Sequence, residues 1–404
     1  MLKNNIFVKN LSCGITAFLL IFSYAICFAA SLQLNIWYAL VTAITSSLIS
    51  VSLKSRVMAP DTFFTVPLLM ILATGTNALM PFCVIGGALI YFAFSKKAEK
   101  TELHPAVTGA ITISLAFSVT ALLTTHYFGI GADGFTVSEI LKNYRSLGFH
   151  PNWRGVFYGT VTLFAMITYP FKFKKADKYF PAEAFSLILP LILNLWLNPE
   201  QEYTPINEIA SLADFMKQDA ISFFLPSLST DFHMTVGNYA NTFQATIAMG
   251  LLLLIFKADK TRKDSETTAN IINGIEGGFP VRTYEIRDYS LTSAITSVFL
   301  VIFFCFLADD ILLRIPLHSL SVVLIVSAWK QVKFKSLADG FRSGAFGIIS
   351  IIIIFVSSVL TNIFITLIIS IILNILLSYS SGKKAQKNHI QTELTTEGGD
   401  ESNG

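Results

Sequence analysis

Two stretches decide the fold: Val57-Met58-Ala59-Pro60-Asp61-Thr62 in the first half of the chain and, in the second half, the interval 270–290, broken by Gly277, Gly278 and Pro280. Both lie between long apolar runs, yet both carry proline or glycine together with charge. Inside a bilayer, irregular backbone survives only where protein or a protected cavity satisfies its amides and carbonyls. Interruptions paired between two halves of a chain mark the discontinuous helices of an inverted-repeat transporter. A helix that begins inside the membrane leaves its first N–H groups unpaired, and two such termini face to face make a pocket of partial positive charge suited to a dehydrated anion.

The rest of the chain fits that setting. Of 404 residues 53% are hydrophobic and 14% charged, and the 29 Lys+Arg with 26 Asp+Glu fall well short of the roughly 100 charges of an average soluble chain of this length. Apolar runs that span or half-span a hydrocarbon core fall at about 13–30, 36–53, 63–74, 78–94, 107–127, 156–171, 185–197, 241–256, 291–307, 317–329 and 347–379, the last long enough for two segments. The first run is too long for a signal-peptide core, so no cleavage is expected. Cys13, Cys27, Cys83 and Cys305 all lie inside apolar runs, which indicates packing rather than a disulfide framework or a metal site. The basic residues come in short clusters and form no contiguous face, which excludes nucleic acid as a partner. No Walker motif, GxSxG elbow or HExxH is present, against a pump or a familiar membrane hydrolase.

Charge placement threads the segments, because short cytoplasmic loops hold the excess of Lys and Arg. With Lys3 and Lys9 inside, every second connection is basic: Lys54 and Arg56; Lys96, Lys97 and Lys100; Lys172, Lys174, Lys175 and Lys178; Lys257, Lys260, Arg262 and Lys263; Lys330, Lys333 and Lys335; and Lys383, Lys384 and Lys387. The expected organisation is a cytoplasmic N-terminus (1–12), a first repeat (13–198), an extracytoplasmic connection (199–235), a second repeat (236–379) and a polar cytoplasmic tail (380–404). Both ends are thereby placed in the cytoplasm of a multi-pass protein of the cell membrane.

Several stretches in order resemble the SulP family of inorganic anion transporters. Leu11-Ser12-Cys13-Gly14-Ile15-Thr16, Tyr24-Ala25-Ile26 and Trp37-Tyr38-Ala39-Leu40 are similar to its first two helices, and Ser55-Arg56-Val57 with Ala59-Pro60-Asp61-Thr62 to its third. Pro105-Ala106-Val107-Thr108-Gly109 is similar to the start of the fifth. Ala269-Asn270-Ile271, Gly277-Gly278, Arg287, Ile315-Pro316-Leu317 and the stretch from Val322 to Trp329 follow in family order. The resemblance implies an all-α polytopic membrane protein with a 7+7 inverted-repeat fold, shared with the uracil permeases: about fourteen segments, a core and a gate domain, and a substrate site between half-helices three and ten. The substrate-binding residues implied are Ser23, Tyr24, Ala59, Pro60, Asp61, Thr62, Tyr284 and Arg287. The implied activity is secondary transport of a small inorganic or organic anion, of the sulfate, bicarbonate or dicarboxylate class, by alternating access, with no cofactor and no enzymatic step. A homodimer is compatible with it.

At that site Pro60 fits the first turn of a half-helix, where its missing N–H costs nothing, and Arg287 would be the fixed positive charge. Asp61 has two readings: a cap on the helix amides, or a carboxylate that neutralises Arg287 when the site is empty and takes up a proton as the anion enters. Departures from the family bear on the second reading. Helix eight, which commonly carries a Glu, has no acidic residue between Val236 and Phe256, and the stretch from Arg287 to Leu291 is several residues short. Asn241, Gln244 and Thr246 offer that helix a polar face that packing hydrogen bonds explain equally well. His126, His233 and His318 fall at segment ends and receive no role. Residues 380–404 are too few for an independent core, so the cytoplasmic STAS domain of the family is not expected. Two alternatives stay open: a uracil- or xanthine-permease-like transporter of a neutral or weakly acidic substrate, and a non-transporting membrane paralogue.

Overall fold

A computed structural model describes residues 2–32, 34, 36–53, 56–72, 79–98, 103–130, 136–197, 236–256, 263–286, 289–307 and 314–379. The expected connection 199–235 with His233, the tail 380–404 and Arg287 lie outside the described residues.

The apolar runs become helices. The first half holds α1 (Leu2–Ser31), α2 (Ile36–Ile49), α3 (Thr65–Leu72), α4 (Met80–Ala98), α5 (Pro105–Phe128), α6 (Val137–Leu147), α7 (Trp153–Lys172), the short α8 (Lys174–Asp177) and α9 (Ala182–Leu197). The second half holds α10 (Val236–Ile255), α11 (Lys263–Glu276), α12 (Leu291–Leu307), α13 (Leu317–Lys330), the amphipathic α14 (Phe334–Arg342), α15 (Ala345–Leu360) and α16 (Ile363–Tyr379). Residues 2–12, expected to precede the first span, are already helical and continuous with it. The long last run divides at Asn362, whose Oδ1 accepts the Ile365 amide as an N-terminal cap would. Large apolar side chains such as Phe164, Phe171, Trp196, Ile352 and Ile375 stay exposed on the helix exteriors, the surface expected to face lipid.

The helices form two packed groups. One contains α1, α2, α4, α10, α11 and α12; the other contains α5, α7, α9, α13, α14 and α15. They meet where α1 lies against α9 and α13 and where α3 leans on α5.

Within the first group two strands cross the interior. β1 (Arg56–Pro60) pairs antiparallel with β2 (Val281–Glu285), setting Arg56 opposite Glu285, Val57 opposite Tyr284, Met58 opposite Thr283, Ala59 opposite Arg282 and Pro60 opposite Val281. A two-stranded ribbon has two open edges, which hydrocarbon cannot satisfy. Here neighbouring side chains seal both. On the β1 edge the Met58 amide donates to Ser50 Oγ at 2.8 Å, and the next outward position is Pro60, which has no N–H. On the β2 edge Asn270 accepts from the Val281 amide at 2.7 Å and donates to its carbonyl at 3.1 Å, while Glu266, one turn earlier on α11, accepts the Thr283 amide at 3.1 Å. Val281 and Thr283 therefore face outward, leaving the Ala59–Arg282 and Val57–Tyr284 pairs to hold the strands together.

α11 enters β2 through a reversal. Gly277 takes φ +82°, a left-handed conformation open to glycine, and the Phe279 amide then donates to Thr42 Oγ1 on α2 at 2.7 Å. The expectation of a second short helix around Tyr284–Arg287 is not met. Tyr284 lies in β2, and the next described helix, α12 (17 residues), starts only at Leu291. α12 runs parallel to α1 from the same end: Ser293 Oγ donates to the Asn10 carbonyl, and Phe304 packs on Phe18 and Phe22. The shortened stretch before Leu291 leaves no chain for a half-helix. The first interruption does supply one, beginning after β1.

Candidate functional site

The β1 strand ends at Pro60, and the chain turns at Asp61 into one 3-10 turn (Thr62–Phe64) that leads into α3. Pro60 thus closes the strand rather than opening the helix, which corrects its expected place in the first helical turn. Asp61 is the cap: its backbone is extended, and its Oδ1 accepts the Phe63 amide at 2.9 Å. Its other oxygen, Oδ2, receives Arg282 NH1 at 2.7 Å. Arg282 is the residue the sequence reading missed. Alternation in Val281-Arg282-Thr283-Tyr284-Glu285 puts Arg282 and Tyr284 on one face of β2, and the small Ala59 opposite Arg282 leaves its side chain room to reach Asp61. The guanidinium also donates to the Phe256 carbonyl at 3.0 Å and lies 5.1 Å from the centre of the Phe256 ring.

Around this pair the two helix groups close. From α1, Tyr24 sets its ring 5.5 Å from that of Tyr284, whose hydroxyl donates to the Pro60 carbonyl at 3.4 Å. The Tyr24 hydroxyl lies 3.0 Å from Ser327 Oγ on α13 and 3.4 Å from Glu183 Oε1 on α9, and Glu183 in turn meets Lys330 at 3.3 Å. Just past α13, Gln331 donates to Thr62 Oγ1 at 2.8 Å. The Lys333 ammonium lies 5.9 Å from the Phe256 ring.

Of the residues expected at the site, Tyr24, Ala59, Pro60, Asp61, Thr62 and Tyr284 come together, and Ser23 is buried beside Tyr24 on α1. Gln244 of α10 accepts from Asn362, and Thr242 and Thr246 hydrogen-bond their own helix, so the polar face of that helix serves packing. Arg56 pairs with the exposed Glu285 at the outer end of the ribbon, 3.0 Å away. His318 is buried against Gly155 at the opposite end of α13 from Ser327.

Chemically the arrangement is one helix terminus, one half-buried guanidinium and one buried carboxylate that satisfies both. Arg282 Nη1 and the first amides of the 3-10 turn are anion donors already engaged by Asp61. Hydroxyls of Tyr24, Thr62 and Tyr284 and the Gln331 amide supply neutral donors around them.

No protein-family model matches the chain, and no curated protein matches it in sequence. Solved structures do match. The transmembrane domain of a cyanobacterium bicarbonate transporter, BicA, superposes with a TM-score of 0.65 at 14% identity, over 89% of this chain and 96% of that one. The overall structure of SLC26A9 gives 0.66 at 9% identity, over 92% of this chain and 65% of that one. The murine Slc26a9 anion transporter in the inward-facing state gives 0.63 at 10%, over 93% and 68%. The chain thus spans about two thirds of the SLC26A9 chains. The likeness establishes the fold: an all-α, multi-pass membrane protein built as the inverted-repeat transmembrane domain of SulP/SLC26 proteins.

Proposed function

We propose that this protein is a secondary transporter of a small anion, of the sulfate, bicarbonate or dicarboxylate class, working by alternating access with both termini in the cytoplasm. The observation that carries the reading is Arg282. It is a guanidinium held inside the membrane part of a transporter fold, at the terminus of the half-helix α3, where two helix groups meet. An arginine inside a membrane costs about 3 kcal/mol to insert and marks a pathway or a site. The contacts between the groups, Tyr24 with Ser327 and Thr62 with Gln331, are hydrogen bonds that relative motion can break and remake at small net cost, on the order of 1 kcal/mol each.

In this reading the anion reaches Arg282 and the first helical amides by displacing the Asp61 carboxylate, which holds them in its absence. The neutral donors of Thr62, Tyr284 and Gln331 complete its coordination. One observation favours the rival reading of a neutral or weakly acidic substrate: Asp61 already neutralises both the guanidinium and the helix terminus.

Uptake by the full chain in liposomes separates the two. Radiolabelled sulfate, bicarbonate or fumarate should enter saturably, compete with one another and be excluded by Arg282→Gln. Entry of uracil or xanthine with none of the anions transported would establish the rival, and absence of all uptake would overturn the transport reading.

A further inference from the structure

Glu266 has no part in the site as described so far, and its surroundings give it one. It lies on α11 one turn before Asn270, and the two side chains perform the same task on the outer edge of β2: Asn270 takes the Val281 amide and Glu266 the Thr283 amide. Asn270 demonstrates that a neutral amide seals this edge. A carboxylate at 266 is therefore not needed for the strand, and its charge is left to act elsewhere. Glu266 is 2% exposed.

The charged groups that reach Glu266 are Arg282 from β2, Asp61 from the corner after β1, and Arg56 from the start of β1; among the described residues, α2 and α4, the other helices packed on α11, bring none. Arg56 is already paired with Glu285. Asp61, paired with Arg282 at 2.7 Å, and Glu266, on the next amide along β2, are thus both set about one half-buried guanidinium. Asp61 accepts from two donors, the Phe63 amide and Arg282, whereas the Glu266 carboxylate accepts from the single Thr283 amide among the described residues. An anion arriving at Arg282 adds negative charge beside two carboxylates in low dielectric, with Arg282 and, across the Phe256 ring, Lys333 as the cations, an arrangement that costs several kcal/mol unless one acid is neutralised.

Resting on the transport reading above, we propose that Glu266 is the group that takes up a proton when this site receives its anion, so that anion and proton cross together. The acid missing from α10 is thereby replaced from α11, across β2 from Asp61. The proton enters from the side on which the anion binds, resides on a Glu266 carboxyl oxygen while Thr283 keeps its acceptor, and leaves with the anion on the other side. One anion moves with one proton, and Asp61 returns to Arg282 when both have gone.

The test uses the full chain in liposomes with sulfate as the probe, wild type beside Glu266→Gln. Gln keeps the acceptor for Thr283, and Glu266→Asp, which keeps the acid and shortens the arm, guards against a folding defect in Gln. Wild-type uptake should rise as external pH falls, approaching about tenfold per pH unit where protonation limits it. The Gln variant should vary less than about twofold over the same range, while Asp should stay pH-dependent with a displaced profile. Infrared difference spectra on adding sulfate should show a protonated carboxyl band that Glu266→Gln lacks. Sulfate uptake by wild type with an unchanged pH profile in Glu266→Gln, or a carboxyl band that persists in Glu266→Gln, overturns the assignment and leaves the transport reading standing. A wild type that carries no anion overturns both.

Discussion

The two crossings that the repeats bring together are built differently. After β1 the chain turns at Asp61 into a 3-10 turn and α3, so a helix terminus opens beside the ribbon. Among the described residues no helix opens directly after β2, and α12 starts at the level of Asn10, fourteen residues along α1 from Tyr24 and so about 21 Å away at 1.5 Å per residue. One half therefore supplies backbone amides and the other supplies side-chain charge. A site built from two opposed helix termini has its positive potential fixed in the backbone; here half of it rests on one arginine, whose charge Asp61 cancels at rest. The lesson is that an inverted repeat can lose one of its two helix ends if a side chain on the neighbouring strand takes over its electrostatic part.

The sharpest way to break this comparison is Arg282→Gln. It removes the charge that stands for the missing terminus and leaves Asp61 buried with half its partners, a loss of about 3–5 kcal/mol. Anion uptake should fall at least about 100-fold, and Arg282→Lys, with the charge but not the planar fork, should recover only part. Uptake near wild type in the Gln variant would mean that α3's terminus suffices alone.

Next in size is the sealing of the ribbon edges. Asn270→Ala strands both the amide and the carbonyl of Val281 and should cost about 2–4 kcal/mol, read as a lowered unfolding midpoint in detergent. Ser50→Ala strands only the Met58 amide and should cost about 1–2 kcal/mol. Equal losses would show that the β1 edge is as dependent on side chains as the β2 edge, against the help Pro60 gives it.

The smallest effect is expected at the seam between the helix groups. Tyr24→Phe removes the hydrogen bond to Ser327 and keeps the ring on Tyr284. About 1 kcal/mol should appear as a several-fold change in transport rate with apparent substrate affinity nearly unchanged. A large change in affinity instead would place the Tyr24 hydroxyl on the substrate.

Much of this was legible in the residues. Hydropathy located most of the apolar segments to within a few positions, Leu291–Leu307 on the expected bounds, while α1 begins eleven residues before its apolar run. Asp61 could be read as a cap, since a short acid before an apolar run accepts the first amides wherever it occurs. The identity of the arginine could not be read. Arg282 and Arg287 are five residues apart, and choosing between them requires knowing that 281–285 is a strand, for which Val281, Thr283 and Tyr284 after Gly277, Gly278 and Pro280 are the available signal. Glu266, Asn270 and Asn273 fall on one face of a helix at spacings of four and three, a polar stripe inside a membrane segment that the clustered basic residues at 257–263 obscured.

The sequence by itself determined that this chain lies in a membrane, where it crosses and where its backbone must break, because burial in lipid is a local demand on each run of residues. Which groups then face one another was decided by tertiary structure. The register that sets Arg282 opposite Ala59, the reversal at Gly277 and the docking of α11 on the β2 edge bring together Asp61, Glu266 and Arg282 from three separate elements. Their shared electrostatics exists only at that contact, since no local pattern encodes a distance between residues more than two hundred positions apart.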